Sequence, residues 1–135
     1  FVGQRLDSPA SDAWQMPQGG IDDGEVAQDA ALRELEEETG ISRSLVTILS
    51  QTTEELFYEL PDELLGKIWG GKWRGQRQLW FLMRFNGDDS DVDIATEHAE
   101  FSRWEWADLE QLTQRVVPFK KLIYEVVIAE FSEII

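Results

Sequence analysis

The chain has 135 residues, 42% of them hydrophobic, which is enough for one domain with a packed core. It has no cysteine, so disulfides and thiol catalysis are excluded. Its formal net charge of −15 argues against a broad face for duplex nucleic acid. No apolar run approaches the roughly 18 to 20 residues that a membrane helix needs, so no membrane partner is expected.

In chain order, "FVGQRL" reads as a strand and "DSPASD" as a loop. "AWQM" is a short extended piece ending at Pro17, and Gly19, Gly20 and "DDG" mark tight turns. A helix is expected from about Glu25 to Thr39, with Gly40 as its left-handed stop. "LVTILSQ", "ELFYEL", "QRQLWFLMRF" and "FSRWEW" read as strands. Pro61 to Trp73 reads as an irregular excursion with a short helical turn, and "NGDDSDVD" as a surface loop. "ADLEQL" begins a helix. After Pro118 a last helix is expected to bury Phe119, Leu122, Ile123, Val126, Val127, Phe131 and Ile134, which recur at helical spacing. Strands mixed with long helices predict an α/β fold, a mixed sheet sandwiched between helices.

The segment Pro17 to Ile41 carries eight acidic residues against one basic residue, Arg33. At about 100° per residue, Glu25, Asp29 and Glu36 fall on one side of the helix. Glu34, Glu37 and Glu38 fall on another, which they share with Ala27, Ala30 and Ala31. An exposed acidic face accounts for the first group. It accounts poorly for the second, because small apolar residues mark a packed face and inward carboxylates are costly unless neutralised. A hard divalent cation with oxygen ligands would neutralise them.

The full spacing is Gly19, five residues, Glu25, seven residues, Arg33-Glu34-Leu35, one residue, Glu37-Glu38, one residue, Gly40-Ile41. It resembles the Nudix box at every defining position. The resemblance implies a Nudix fold, an α/β/α sandwich, and metal-dependent hydrolysis of a nucleoside diphosphate linked to another group. It assigns Glu34, Glu37 and Glu38 to Mg²⁺ or Mn²⁺, with a backbone carbonyl at Gly19 as a further ligand. It has Arg33 orient the glutamates, while Glu25 and Gly40 support the loop and helix geometry.

"WQMPQGGIDDGE", "GQRQLWFL", "EFSRWEW" and "VVPFKKLIYEVVIAEF" extend the likeness over nearly the whole chain. They resemble the branch of bacterial RNA pyrophosphohydrolases and dinucleoside polyphosphate hydrolases. That branch implies Glu100 as a fourth metal ligand or base. It places Arg5, Val117, Phe119 and Lys120 at the nucleobase, and Gln76 and Arg77 on a strand near phosphate. Lys72 and Arg74 are the nearest further basic pair. Residues 1–135 are expected to form a single Nudix domain, with the family's first strand missing ahead of Phe1. The implied substrate is a nucleotide polyphosphate or an RNA 5′ end, in a cytoplasmic setting. An ADP-ribose or nucleotide-sanitising hydrolase, and a catalytically silent nucleotide-binding module, stand as alternatives.

The stretch "DDSDVDIATEHAE" imitates a calcium loop, but Ile94 stands where an EF-hand needs glycine, and strands flank it. It reads as a solvated acidic loop. His98, the sole histidine, reads as a surface residue.

Overall fold

The computed structural model describes residues 1–6, 14–59 and 75–135. Strands β1 (Val2–Arg5), β2 (Trp14–Gln15) and β7 (Phe101–Glu105) form one antiparallel sheet with β1 in the middle. Strand β3 (Val46–Gln51) pairs with β6 (Phe81–Phe85), and β4 (Leu56–Glu59) with β5 (Gly75–Gln78). Helices α1 (Ala27–Thr39), α2 (Leu109–Arg115) and α3 (Lys121–Phe131) complete an α/β fold. All ladder pairs among the described residues are antiparallel, so the parallel partner of a mixed sheet is not among them.

The single strand expected over "QRQLWFLMRF" is two strands in two ladders. The break lies at Leu79 and Trp80. Thr52 fixes it from both sides, its N–H donating to the Trp80 carbonyl (2.8 Å) and its hydroxyl accepting the Trp80 N–H (3.0 Å). Thr52 is fully buried, so these two bonds are shielded from water. The excursion expected at Pro61 to Trp73, and the "DSPASD" loop, lie outside the described residues.

Helix α1 begins after Val26, two residues later than expected, which leaves Glu25 in the preceding turn. It ends at Gly40, whose φ of 72° is left-handed and whose N–H closes on the Glu36 carbonyl at 2.9 Å. A Cβ there would come within 2.8 Å of the Asp93 carbonyl oxygen, so glycine is required on two counts. The acidic loop crosses this helix end: Asp93 N–H donates to the Thr39 carbonyl (2.8 Å) and the Thr96 hydroxyl to the Glu37 carbonyl. Asp88 and Asp91 form a local capping box around the short 3-10 turn Asp89–Asp91.

The core gathers Val2, Trp14, Leu112, Val116, Ile123 and Tyr124. Helix α3 buries Ile123, Tyr124, Val127 and Phe131, whereas Leu122 is 71% exposed and Val126 and Ile134 also face water. The expected apolar face is therefore rotated. A 3-10 turn over Pro118–Lys120 precedes α3, so one continuous helical phase starting at Pro118 does not hold. Tyr124 turns inward because its hydroxyl finds a partner, the Met16 N–H at 2.8 Å.

Candidate active site

The site is built where the segment Met16–Gly20 meets α1. Gly19 lies so close to α1 that a Cβ on it would sit 2.0 Å from Glu34 Cδ. Only a residue without a side chain allows this approach. The preceding Gln18 directs its main-chain N–H at Glu38 Oε2 (3.1 Å), and the following Gly20 offers its carbonyl to Arg33 Nη2 (2.8 Å).

Arg33 is the hub of one half of the site. Its Nε and Nη2 grip both oxygens of Glu25 at 2.9 Å, and its Nη1 reaches Glu34 Oε1 (2.9 Å) and Glu37 Oε2 (3.1 Å). The planar fork of a guanidinium suits this many acceptors. Glu25 also accepts the Asp22 N–H at 3.0 Å. The hydrogen bonds from Arg33, then that from Asp22, lower the Glu25 pKa to about 2. Arg33 is held still more firmly in its charged form by Glu25 and Glu34. Glu25 is thus half-buried and paired; the exposed acidic face holds only for Asp29 and Glu36.

Glu38 forms the other half. It is 4% exposed, and its pKa is pushed up to about 8. Desolvation is the main cause, followed by the charges of Glu34 and Glu100. The Gln18 N–H and the charge of Arg5 oppose the shift without cancelling it. Glu34 is also raised, by burial first, with Arg33 opposing. Glu100 is exposed at the start of β7, and its carbonyl receives the Leu6 N–H, which anchors it beside the end of β1.

Among the described residues, no three carboxylate or histidine groups converge into a ready ligand set. Arg33 Nη1 engages Glu34 and Glu37, and Glu38 is bonded instead by the Gln18 N–H. Even so, the donor chemistry fits a hard divalent cation: oxygen ligands only, one of them buried and raised by two neighbouring carboxylates. The carbonyl of Gly19 belongs to the same approach of loop to helix.

The expected substrate residues divide. Lys120 is buried, with Nζ donating to Gln15 Oε1 (3.2 Å) and Gln18 Oε1 (3.3 Å), while Val117 and Phe119 beside it pack against the core. Arg5 lies within the electrostatic reach of Glu38. Arg77 is exposed on β5, and Gln76 pairs with Tyr58 in the β4–β5 ladder. Lys72 and Arg74 lie outside the described residues. Two polar residues not singled out from the sequence enter the site, Gln15 and Gln18, together with Gln78 of the "GQRQ" strand. The signal available was position alone, since Gln18 stands directly before the glycine pair and Gln78 closes the "GQRQ" strand.

Beside the site, among the described residues, Ala27, Ala30 and Ala31 of α1 line an open cavity of about 1000 Å³ that residues of β6 and α3 also border.

A family model described as the NUDIX domain matches residues 1–127. The chain belongs to the Nudix family. As a Nudix hydrolase it joins enzymes that in general use divalent metal ions. It is 60% identical, over its whole length and 85% of the relative's, to an RNA pyrophosphohydrolase of Sphingopyxis alaskensis. An RNA pyrophosphohydrolase of Rhodospirillum rubrum is 52% identical over 98% of this chain and 78% of its own. Among solved structures, an Ap4A hydrolase of C. elegans matches with a TM-score of 0.66 and 26% identity, over 98% of this chain and 86% of that one. The E. coli dihydroneopterin triphosphate pyrophosphohydrolase matches with a TM-score of 0.68 at 20% identity, over 96% and 84%, a likeness of fold.

Proposed function

We propose that this Nudix hydrolase removes pyrophosphate from the 5′-triphosphate end of RNA, using Mg²⁺ or Mn²⁺. The observation that carries the reading is Glu38. It is a buried carboxylate with two others pressing on it, while Arg33, the guanidinium of the same helix, is spent on Glu25, Glu34 and Glu37. The ionised form of such a carboxyl is stabilised when something positive joins it. The names of relatives at 52–60% identity support the RNA end as substrate.

In this reading Glu34, Glu37, Glu38, Glu100 and the Gly19 carbonyl would hold the ions. When bound, such ions acidify a water and offset charge on the phosphates. Arg33 sets the orientation of Glu34 and Glu37 through Nη1. The Gln18 N–H fixes Glu38 Oε2, which leaves Oε1 to carry the proton until a cation displaces it. Arg5 adds a positive charge beside the carboxylates, where a polyphosphate would arrive. Phe119 offers a flat face and buried Lys120 a donor for the first bases. Few contacts suffice for an enzyme reading only an RNA end, so the charge of −15 is no obstacle. A cytoplasmic setting fits such a substrate.

A second reading, asymmetric cleavage of a dinucleoside tetraphosphate, is favoured by the likeness to the Ap4A hydrolase. One competition separates them. Purified protein receives both diadenosine tetraphosphate and a short 5′-triphosphorylated RNA with Mg²⁺. Preferred release of pyrophosphate from the RNA, abolished by chelator, is expected. Preferred formation of ATP and AMP would replace the first reading with the second.

A further inference from the structure

Gln18 touches three elements at once, and the reading above uses only its main chain. Its N–H donates to Glu38 on α1. Its side-chain Oε1 accepts from Lys120 Nζ, in the turn before α3, and from Gln78 Nε2 on β5, both at 3.3 Å. Gln78 Oε1 in turn accepts the indole N–H of Trp80 at 2.9 Å. Trp80 meets Tyr124 edge-on, with ring centroids 5.6 Å apart, and the Tyr124 hydroxyl takes the Met16 N–H. Met16 is two residues before Gln18. The contacts therefore close a circuit that runs from the Gln18 side chain through β5 and α3 and back into the Gln18 main chain.

This circuit has a mechanical consequence. Lys120 is a buried ammonium and must keep oxygen acceptors. Whatever draws Lys120 aside draws on the Gln18 oxygen, and the same residue aims the N–H at Glu38. We propose that Gln18 is a positioning residue that couples the Lys120 end of the site to the Glu38 end. The coupling runs through geometry, since the carboxamide carries no charge. It rests on the reading of Glu38 as a cation ligand.

The test measures Mn²⁺ affinity by electron paramagnetic resonance in the wild type, Gln18→Met, Lys120→Ala and the double variant. Methionine matches the length of glutamine and lacks its oxygen. Both single variants are expected to weaken Mn²⁺ binding about threefold to tenfold, and the double variant no more than the weaker-binding single one. Removing a cation near the site would by itself tighten Mn²⁺ binding, so Lys120→Ala discriminates the two effects. Tighter or unchanged binding in that variant, or fully additive losses, would overturn the proposal. Gln18→Glu keeps an oxygen for Lys120 and is expected to bind Mn²⁺ at least as well as the wild type; a loss equal to that of Gln18→Met also counts against it. Should the wild type bind no Mn²⁺ and turn over neither nucleotide, the reading of the site falls and this role with it. Should it bind and hydrolyse normally while Gln18→Met matches it in both, only the positioning role falls.

Discussion

Glu25, Glu34 and Glu37 share one guanidinium, whereas Glu38, a residue further along the same helix face, has a single main-chain N–H and the charge of Arg5 set against two neighbouring carboxylates. The first group is hydrogen-bonded throughout, and Glu25 sits well below the usual carboxylate range, although burial still raises the Glu34 pKa. The second is held in a raised state, buried and reluctant to ionise. The difference teaches that sequence clustering of acids is not one feature. Arg33 builds a scaffold from three of them, and the remaining one sits where its ionised form calls for a cation.

Glu38→Gln should break the comparison most severely. It keeps the shape and loses the charge, so turnover is expected to fall by about a thousandfold or more while the fold persists. Single-turnover assays with Mg²⁺, paired with circular dichroism, check this; activity near wild type would sink the proposed role. Arg33→Lys comes next. A point charge cannot serve three carboxylates at once, so a loss of about a hundredfold in kcat/KM and a lower melting temperature are expected together. Gly19→Ala should cost about tenfold to a hundredfold, because the new methyl displaces the Glu34 carboxylate. Restoration by shortening Glu34 to Asp, measured in the same assay, would show that the clash and not the loop conformation is responsible.

Glu25 and Glu38 also differ in the sign of their pH dependence. The Glu38 pKa rises from 4.5 to about 8 on folding. Between those values the unfolded chain has lost the proton and the folded chain keeps it, so stability is full below 4.5 and declines as pH rises toward 8. The Glu25 pKa falls from 4.5 to about 2, so its contribution is present above 4.5 and is lost as pH falls through 2. In chelator, the melting temperature of Glu38→Gln is expected to gain on wild type as pH rises from 4.5 to 8. Parallel curves would refute the assignment. Smallest of all, Glu36→Gln, on the exposed side, should change activity less than about twofold.

Helix α1 and its stop were legible because the signals are local: a run of good helix formers closed by Gly40. The grouping of Glu34, Glu37 and Glu38 on one face followed from angle alone, and the family from spacing. What the sequence concealed depends on partners distant in the chain. Nothing in "QRQLWFLMRF" announces that Thr52 will seize Trp80 and bend the run into two ladders. Leu122 looked buried by period, yet Tyr124 took the inward place through a hydroxyl bond to Met16, 108 residues away. Glu25 counted as exposed on a wheel that assumed it was helical, whereas it lies in the turn and pairs with Arg33. Gln18 and Gln78 carry no motif of charge, so only the fold reveals where their amides meet.

The raised state of Glu38 carries a calorimetric signature. Near neutral pH the side chain holds a proton in the folded protein, and a cation bound there must expel it. The heat of Mg²⁺ uptake should then differ between buffers of high and low ionisation enthalpy, by close to one proton's worth at pH 6 and less as pH approaches 8. The affinity for the ion should climb with alkalinity over the same interval. Proton stoichiometry thus reads out cation occupancy of the buried carboxylates, Glu38 foremost, without any substrate present.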